Sequence, residues 1–260
     1  MYSRTELLLG KEGLEKLKKS HVMVVGLGGV GAYAAEMLCR AGVGKMTIVD
    51  GDTINETNRN RQLIALSSTE GEKKAECLAK RLKDINSDIE LVVVDQYIRD
   101  EVMVNLLKKD NYDYVVDAID TLSPKIFLIL NSIELNIPIV SSMGSGGKLD
   151  PTQIKIDDIS KSYNCPLASV VRKKLHKFGV YDGFAVVYSP EKVSPDVVIE
   201  DIGTNKRSTV GTISYIPPIF GSMCASVVIR KLIGIEPYPK VKDERYYENK
   251  KEKQKIICPK

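Results

Sequence analysis

A glycine-rich segment at residues 26–31, GLGGVG, constrains the fold of this chain more than any other feature. It follows an apolar run and precedes a segment with helical periodicity. A G-x-G-x-x-G pattern between a strand and a helix is typical of nucleotide-binding βαβ units. There, Gly28, Gly29 and Gly31 would let backbone N–H groups approach phosphate oxygens. The segment by itself predicts a nucleotide, and it does not distinguish a dinucleotide from ATP.

Strand-like and helix-like segments alternate along the first 144 residues. We predict buried strands at 21–26, 45–50, 89–95, 114–120 and 137–144. The predicted helices lie at 6–19 (interrupted by Gly10 and Gly13), 32–42, 69–86 (opened by a Thr69 and Glu72 capping box), 100–109 and 124–136. This alternation predicts the α/β class, with a Rossmann-like, doubly wound and mostly parallel sheet covered on both faces.

The pattern weakens beyond residue 147. Shorter strands are predicted at 154–160, 184–189 and 210–216, and we expect them to extend the same sheet in mixed orientation. A basic helix is predicted at 166–179 and an apolar helix at 220–234. Because no linker-like segment interrupts the chain, we expect one domain, with a nucleotide-binding part at 1–150 and a basic extension at 151–260.

The formal net charge of +4 is distributed unevenly. Residues 1–150 carry 19 basic and 22 acidic side chains, whereas residues 151–260 carry 19 and 12. This asymmetry suggests that the second part meets a polyanion, and the alternative is a solvated surface with a lysine-rich tail.

Five cysteines, with no CxxC pair, argue against a disulfide framework and against a structural zinc site. No apolar run reaches membrane-spanning length, and the first residues do not resemble a signal peptide. We therefore expect a cytoplasmic protein that does not bind a membrane.

Polar residues that follow the second strand favour ATP over a dinucleotide. Asp50 lies 19 residues after Gly31, where a carboxylate accepts ribose hydroxyls, and this spacing also suits NAD. Taken singly, the cations beyond it are ordinary surface charges. As a cluster they match the β- and γ-phosphates of ATP, which need fixed positive charge for reaction. The cluster consists of Asn58, Arg59, Arg61 and Lys74.

Two acids end the fourth predicted strand, at the sheet edge where open α/β folds bind ligands. We assign Mg²⁺ to Asp120, because magnesium is usually held by one or two carboxylates and phosphate oxygens. Asp117 has the alternative of capping or pairing near the strand end.

The combination of GLGGVG, the acid at position 50, N-x-x-R-Q at 58–62, G-x-x-K at 71–74 and D-x-x-D at 117–120 resembles the ThiF/MoeB/HesA superfamily of ubiquitin-activating-type adenylating enzymes. The resemblance implies that Asp50 binds the ATP ribose and that Asp120 holds Mg²⁺. It implies phosphate contacts for Asn58, Arg61 and Lys74. It also implies a homodimer in which Arg4 reaches the partner subunit's ATP.

Within that superfamily, residues 3–50 and 141–175 are most similar to the dehydratases of threonylcarbamoyladenosine in tRNA. These enzymes use ATP to cyclise the threonylcarbamoyl group on adenosine 37 of tRNA, and they need no catalytic cysteine. Cys165 departs from the Asp usual there and is assigned no role. Under this resemblance the polyanion is tRNA, with candidate phosphate contacts at Arg172, Lys173, Lys174 and Lys177, beside His176, and at Lys206 and Arg207.

Three other functions stay open from the sequence. The first is adenylation of the C-terminus of a ubiquitin-like or sulfur-carrier protein, against which stand the absent CxxC pairs and the basic second part. The second is an NAD-dependent oxidoreductase, supported by the glycine segment and Asp50 alone. The third is a non-enzymatic scaffold, which an intact set of cations and Asp120 disfavours.

Overall fold

The computed structural model describes residues 1–98, 100–200 and 208–238, and within these ranges helices alternate with strands. The helices are α1 (Ser3–Lys19), α2 (Gly31–Ala41), α3 (Lys74–Ile85), α4 (Asp100–Lys109), α5 (Leu122–Glu134), α6 (Pro166–His176) and α7 (Ile216–Leu232). The strands are β1 (His21–Val25), β2 (Lys45–Val49), β3 (Glu90–Val94), β4 (Tyr114–Asp117), β5 (Ile139–Ser142), β6 (Lys155–Asp158), β7 (Ala185–Tyr188), β8 (Val198–Glu200) and β9 (Ser208–Val210).

Seven strands form one sheet in the order β3-β2-β1-β4-β5-β7-β6. All are parallel except β6, which pairs antiparallel with β7. The strand order reverses between β1 and β4, and open α/β sheets bind ligands at the carboxyl ends of the strands beside such a reversal. The predicted fold class, a doubly wound and mostly parallel sheet with mixed strands in its C-terminal part, is confirmed.

The core lies on both faces of the sheet, as the alternating side chains of β1 show. Val22 and Val24 pack with α2, α3 and α7, whereas Met23 and Val25 pack with α4, α5 and α6. Strands buried on both faces read as unbroken apolar runs, which is why the sequence located them. No helix in these three ranges is long and apolar enough to cross a membrane.

The predicted start of the third helix is wrong. Helix α3 begins at Lys74, so Thr69 and Glu72 form no capping box for it. The chain instead turns at Gly71, whose φ is +83°, and Ile54 exchanges backbone hydrogen bonds with Gly71 and Glu72. Thr69 Oγ1 accepts from the Leu66 N–H and closes a short 3-10 turn. Tertiary contacts therefore override the local capping signal.

The strand predicted at 210–216 is also wrong. Only Ser208–Val210 is extended, and it pairs with β8 in a separate two-stranded ribbon and not with the main sheet. Helix α7 already begins at Ile216, with Pro217 in its first turn, where proline costs no helical hydrogen bond. The helix α1 is broken at Gly10, as predicted, but continues through Gly13.

Candidate nucleotide-binding site

The glycines of the segment 26–31, which follows β1, have different tasks. A Cβ on Gly31 would lie 1.7 Å from the Gly26 carbonyl oxygen, and one on Gly26 would lie 2.7 Å from the Ala118 carbonyl oxygen. Both glycines therefore let β1, α2 and the chain after β4 pack closely. A Cβ on Gly28 would meet only the Gln62 amide, at 3.7 Å. Gly28 thus leaves room for a ligand against the backbone.

The start of α7 closes one side of this glycine loop. A Cβ on Gly29 would lie 3.0 Å from Pro217 Cβ, and one on Gly221 would lie 2.4 Å from the Val30 carbonyl oxygen. A side chain at Gly221 would force backbone to move, and one at Gly29 would require a small shift of Pro217. The C-terminal helix therefore helps to hold the glycine loop in place.

Asp50, at the end of β2, is bound to the glycine loop. Its Oδ2 accepts from the Leu27 N–H at 2.6 Å, and its Oδ1 accepts from the Asp52 N–H at 2.8 Å. Burial raises the pKa of Asp50, and the positive charge of Lys74 opposes that shift. The carboxylate thus lies beside the glycine loop, where the sequence places a nucleotide ribose.

The insertion between β2 and α3 buries Asn58 and brings Arg61 beside the glycine loop. Asn58 is buried and its Oδ1 accepts from the Asn55 N–H, closing a 3-10 turn. The Arg61 carbonyl oxygen would lie 3.3 Å from a Cβ on Gly29, so this residue borders the glycine loop. Its guanidinium donates to the Thr57 carbonyl oxygen and to Asn60 Oδ1.

Lys74 lies in the first turn of α3, as predicted, and is buried. Its Nζ donates to Asp52 Oδ2 at 2.8 Å, and Asp52 also accepts from the Tyr97 hydroxyl. Asp52 follows Asp50 by two residues, so this ammonium lies near the ribose-type acid and the glycine loop. Arg59, by contrast, pairs with Glu56 and Glu70 at the surface.

The two acids after β4 have different environments. Asp117 is fully buried and forms an ion pair with Lys125. This agrees with the alternative prediction that Asp117 pairs near the strand end. Asp120 is exposed and lies three residues further, on the loop whose Ala118 packs against Gly26. Sequence reasoning missed Lys125, because a lysine in a helix is ordinarily exposed. The available signal was a lone charge among apolar residues in the segment KIFLIL.

The structure contains no cluster of three or more His, Cys, Asp or Glu side chains that could hold a metal ion, within the residues that it describes. Asp120 can therefore serve a divalent cation only together with other ligands. Phosphate oxygens of a bound nucleotide are the usual ones for magnesium, so a single carboxylate at this place fits that ion.

Helix α6 carries its basic residues away from the nucleotide site. It begins near Gly144, just beyond the carboxyl end of β5, and leads into the amino end of the parallel strand β7. The exposed side chains near its end therefore lie toward the opposite edge of the sheet: Lys173, Lys174, His176 and Lys177. Arg172 is half-buried and donates to the Ser162 carbonyl oxygen at 2.7 Å. Lys206 and Arg207 lie outside the described residues.

Arg4 is exposed in the first turn of α1. Leu7 and Leu8 on the same helix expose 88% and 83% of their surface. Arg4 and these two leucines therefore place a cation and exposed apolar surface side by side near the start of α1.

The cysteines in the described ranges are free and buried. Burial raises the pKa of the Cys224 thiol to about 12 and that of Cys39 to about 11. A thiol with so high a pKa supplies almost no thiolate at neutral pH, so neither residue has the properties of a nucleophile. Cys165 is also buried, and Cys258 lies outside the described residues.

Comparison with known proteins identifies the family of this chain. The ThiF family matches residues 2–258. A relative from Bacillus subtilis, named tRNA threonylcarbamoyladenosine dehydratase, is 40% identical over 253 residues, which are 94% of this chain and 98% of the relative. An Escherichia coli relative of the same name is 40% identical over 69% of this chain and 67% of its own length.

A solved structure also matches. The crystal structure of the E. coli tRNA N6-threonylcarbamoyladenosine dehydratase, TcdA, in complex with ATP has a TM-score of 0.81 and 35% sequence identity. The match covers 89% of this chain and 93% of that one. The predicted resemblance is confirmed, and the chain belongs to the ThiF family.

Proposed function

We propose that this chain is an ATP-dependent dehydratase that adenylates the carboxylate of threonylcarbamoyladenosine at position 37 of tRNA and cyclises it. The main support is the match over 94% of the chain to a relative with that name, because it extends well beyond the nucleotide-binding part. The geometry supports adenylation independently, since a glycine loop, an acid and two cations meet at the carboxyl edge of the sheet.

These positions support the following proposed roles at the nucleotide. Gly28, Gly29 and Gly31 shape a loop whose backbone meets the phosphates, and Asp50 accepts hydrogen bonds from the ribose. Asn58, Arg61 and Lys74 lie on the insertion and at the start of α3, and they bind the phosphates. For Lys74 this requires exchange of its present partner, Asp52.

Adenylation answers a chemical difficulty, because a carboxylate has no good leaving group. Attack of the carboxylate oxygen on the α-phosphate forms an acyl-adenylate and releases pyrophosphate. The carbamoyl nitrogen of the same substrate then attacks the acyl carbon, loses its proton and expels AMP, which closes the ring. Both steps depend on positioning and on neutralisation of phosphate charge, and neither requires an enzyme nucleophile.

The charge neutralisation comes from Arg61, Lys74 and Arg4. Asp120 is the residue that would hold Mg²⁺, and the ion would add positive charge beside the phosphates. Asp120 lies on a loop whose Ala118 packs against Gly26, and this nearness to the glycine loop supports the assignment.

Arg4 acts in a homodimer in this proposal, at the ATP of the partner subunit. The exposed Leu7 and Leu8 beside it supply the apolar surface that such an interface needs. We therefore propose that α1 packs on a second copy of this chain.

The chain acts as one adenylating domain, in which residues 1–150 bind ATP and residues 151–260 face tRNA. Lys173, Lys174 and Lys177 contact phosphates, and Arg172 contributes less because it is bound to Ser162. A tRNA that fills the active site then extends along the side of the domain to the end of α6. A cytoplasmic location is proposed with this substrate.

The direct test supplies ATP, Mg²⁺ and tRNA that contains threonylcarbamoyladenosine, and it follows the modified nucleoside by mass spectrometry. Loss of one water from that nucleoside is expected. Pyrophosphate release triggered by a small β-grasp carrier protein, with no change in the nucleoside, would favour the protein-adenylating alternative.

A further inference from the structure

A buried ion pair lies directly beneath the loop that carries Asp120. The side chains of Asp117 and Lys125 have no exposed surface, and Lys125 Nζ lies 2.7 Å from Asp117 Oδ2. Taking two charges out of water is costly, and an apolar pair of similar volume often gives equal or higher stability. Stability alone is therefore a weak reason for such a pair.

Both charged groups are fully hydrogen-bonded. The ammonium of Lys125 also donates to Ser141 Oγ at 3.1 Å and to the Ser142 carbonyl oxygen at 2.9 Å, which uses its three donors. Ser141 Oγ donates to Asp117 Oδ2 at 2.6 Å. Asp117 Oδ1 accepts from the Ile119 N–H at 3.0 Å. The network therefore connects the end of β4, the end of β5 and the first turns of α5.

The network fixes the backbone on one side of Asp120. Ile119, held by Asp117, immediately precedes it in the chain. The Ala118 N–H donates to the Val25 carbonyl oxygen at the end of β1, and Gly26 packs against Ala118. The position of Asp120 relative to the glycine loop therefore depends on the buried pair.

We propose that Asp117 and Lys125 are positioning residues that set Asp120 at the nucleotide phosphates. The proposal rests on the role given above to Asp120. Neither side chain reaches the nucleotide, since both are buried below the loop. They act through the Ile119 backbone and through the shared partner Ser141.

The test is a double-mutant cycle between the buried pair and Asp120. The pair is replaced as a unit, Asp117→Asn with Lys125→Met, because removing one partner would leave an unpaired buried charge. This variant is compared with Asp120→Asn and with the triple combination. Leu128→Ala, at a buried position of the same helix α5, is the control for general destabilisation. ATP affinity with Mg²⁺, ATP affinity in EDTA, and the turnover of modified tRNA are measured for each.

We expect the pair variant to lose about 10- to 100-fold in turnover, because small displacements of a positioned group have effects of that size. Its ATP affinity should fall in Mg²⁺ and stay unchanged in EDTA. In the Asp120→Asn background, replacing the pair should lower turnover by less than about twofold. The effects of substitutions at residues that act through one another are not additive. Leu128→Ala should lower the melting temperature without altering ATP affinity.

The positioning role would be overturned if replacing the pair lowered turnover equally in the wild-type protein and in Asp120→Asn. It would also be overturned if the pair variant lost equal ATP affinity in Mg²⁺ and in EDTA. If the pair variant does not fold, the Ser141→Ala variant takes its place in the same cycle. That substitution removes one hydrogen bond from Asp117 and one from Lys125. If the wild-type protein binds ATP but does not dehydrate the tRNA, the proposed function is refuted. The ATP affinities of the variants then still decide the positioning role. An unchanged chain that does not bind ATP refutes both.

Discussion

The α-carbon of Gly31 faces the carbonyl oxygen of Gly26 so closely that a Cβ on Gly31 would lie 1.7 Å from that oxygen. Gly28, in the same loop, has no such neighbour, and its nearest side-chain atom would be 3.7 Å away. The glycine loop thus contains one residue needed for packing of β1 against α2 and another that leaves room for a ligand.

This difference predicts opposite results for two alanine substitutions. Gly31→Ala should lower the free energy of unfolding by at least about 3 kcal/mol, because backbone must move to admit the methyl group. Gly28→Ala should change it by less than about 1 kcal/mol and weaken ATP binding about tenfold or more. Denaturant unfolding and calorimetric titration with ATP measure the two effects. Equal destabilisation by both substitutions would contradict the division of tasks.

The burial of His21 leads us to expect that the free energy of unfolding depends on pH. It is buried at the start of β1, its Nε2 hydrogen-bonds to Thr47 Oγ1 at 2.8 Å, and burial lowers its pKa. Its Nδ1 makes no hydrogen bond among the described residues but lies 3.5 Å from Asp110 Oδ2, and that carboxylate opposes the lowering of the pKa. The unfolded chain, with a histidine pKa of about 6.5, therefore binds the proton more readily than the folded chain.

Stability contributed by neutral His21 should be present above the unfolded pKa and lost as pH falls toward the lower folded pKa. We expect the free energy of unfolding to fall between about pH 7.5 and about pH 5.5, and to fall less in His21→Gln. Urea titrations of both proteins across this range measure it. Parallel curves for the two proteins would exclude His21 as the cause.

The basic end of α6 predicts a salt-dependent effect on tRNA. Lys173→Glu combined with Lys174→Glu should weaken tRNA binding and reduce the slope of log affinity against log salt by about 1.5, since each phosphate contact contributes about 0.7 to 0.9. Lys108→Glu with Lys109→Glu is a matched control, because these exposed lysines also end a helix, α4. If the α6 variant and the α4 variant show the same slope of log affinity against log salt, α6 does not contact tRNA.

The proposed action of Arg4 at the partner subunit's ATP predicts complementation between two inactive variants. Arg4→Ala and Lys74→Met should each lose nearly all dehydratase activity. An exchanged equimolar mixture should recover about one quarter of the unchanged activity, because half of the dimers are mixed and one of their two sites has both residues. No recovery would place Arg4 in its own subunit's site or outside any site.

The sequence located the parallel sheet because its strands are buried apolar runs bounded by glycines and charges, as in the run that leads into residue 26. It failed where distant contacts decide the local conformation. Thr69 and Glu72 match the capping-box pattern. However, the backbone of Ile54 forms hydrogen bonds with Gly71 and Glu72, and the helix begins only at Lys74. The apolar run at 210–216 similarly gives no sign that its last residue, Ile216, begins a helix.

The candidate site was predicted less completely than the fold. Acids and cations from separate motifs, such as Asp50 and Lys74, lie near one another as expected. Lys125 could not be assigned, because its partners Asp117 and Ser141 are 8 and 16 residues away in the chain. Pairing between strand ends is a property of the folded sheet, and a single sequence does not display it.

The central claim is that this chain removes water from threonylcarbamoyladenosine in tRNA by adenylating it. The most direct measurement is nucleoside mass spectrometry of tRNA bearing that modification, after incubation with the protein, Mg²⁺ and ATP. We expect loss of one water with release of pyrophosphate and AMP, and no reaction when a non-hydrolysable α,β-methylene analogue replaces ATP. An unaltered nucleoside in the presence of ATP, or equal water loss without ATP, would contradict it.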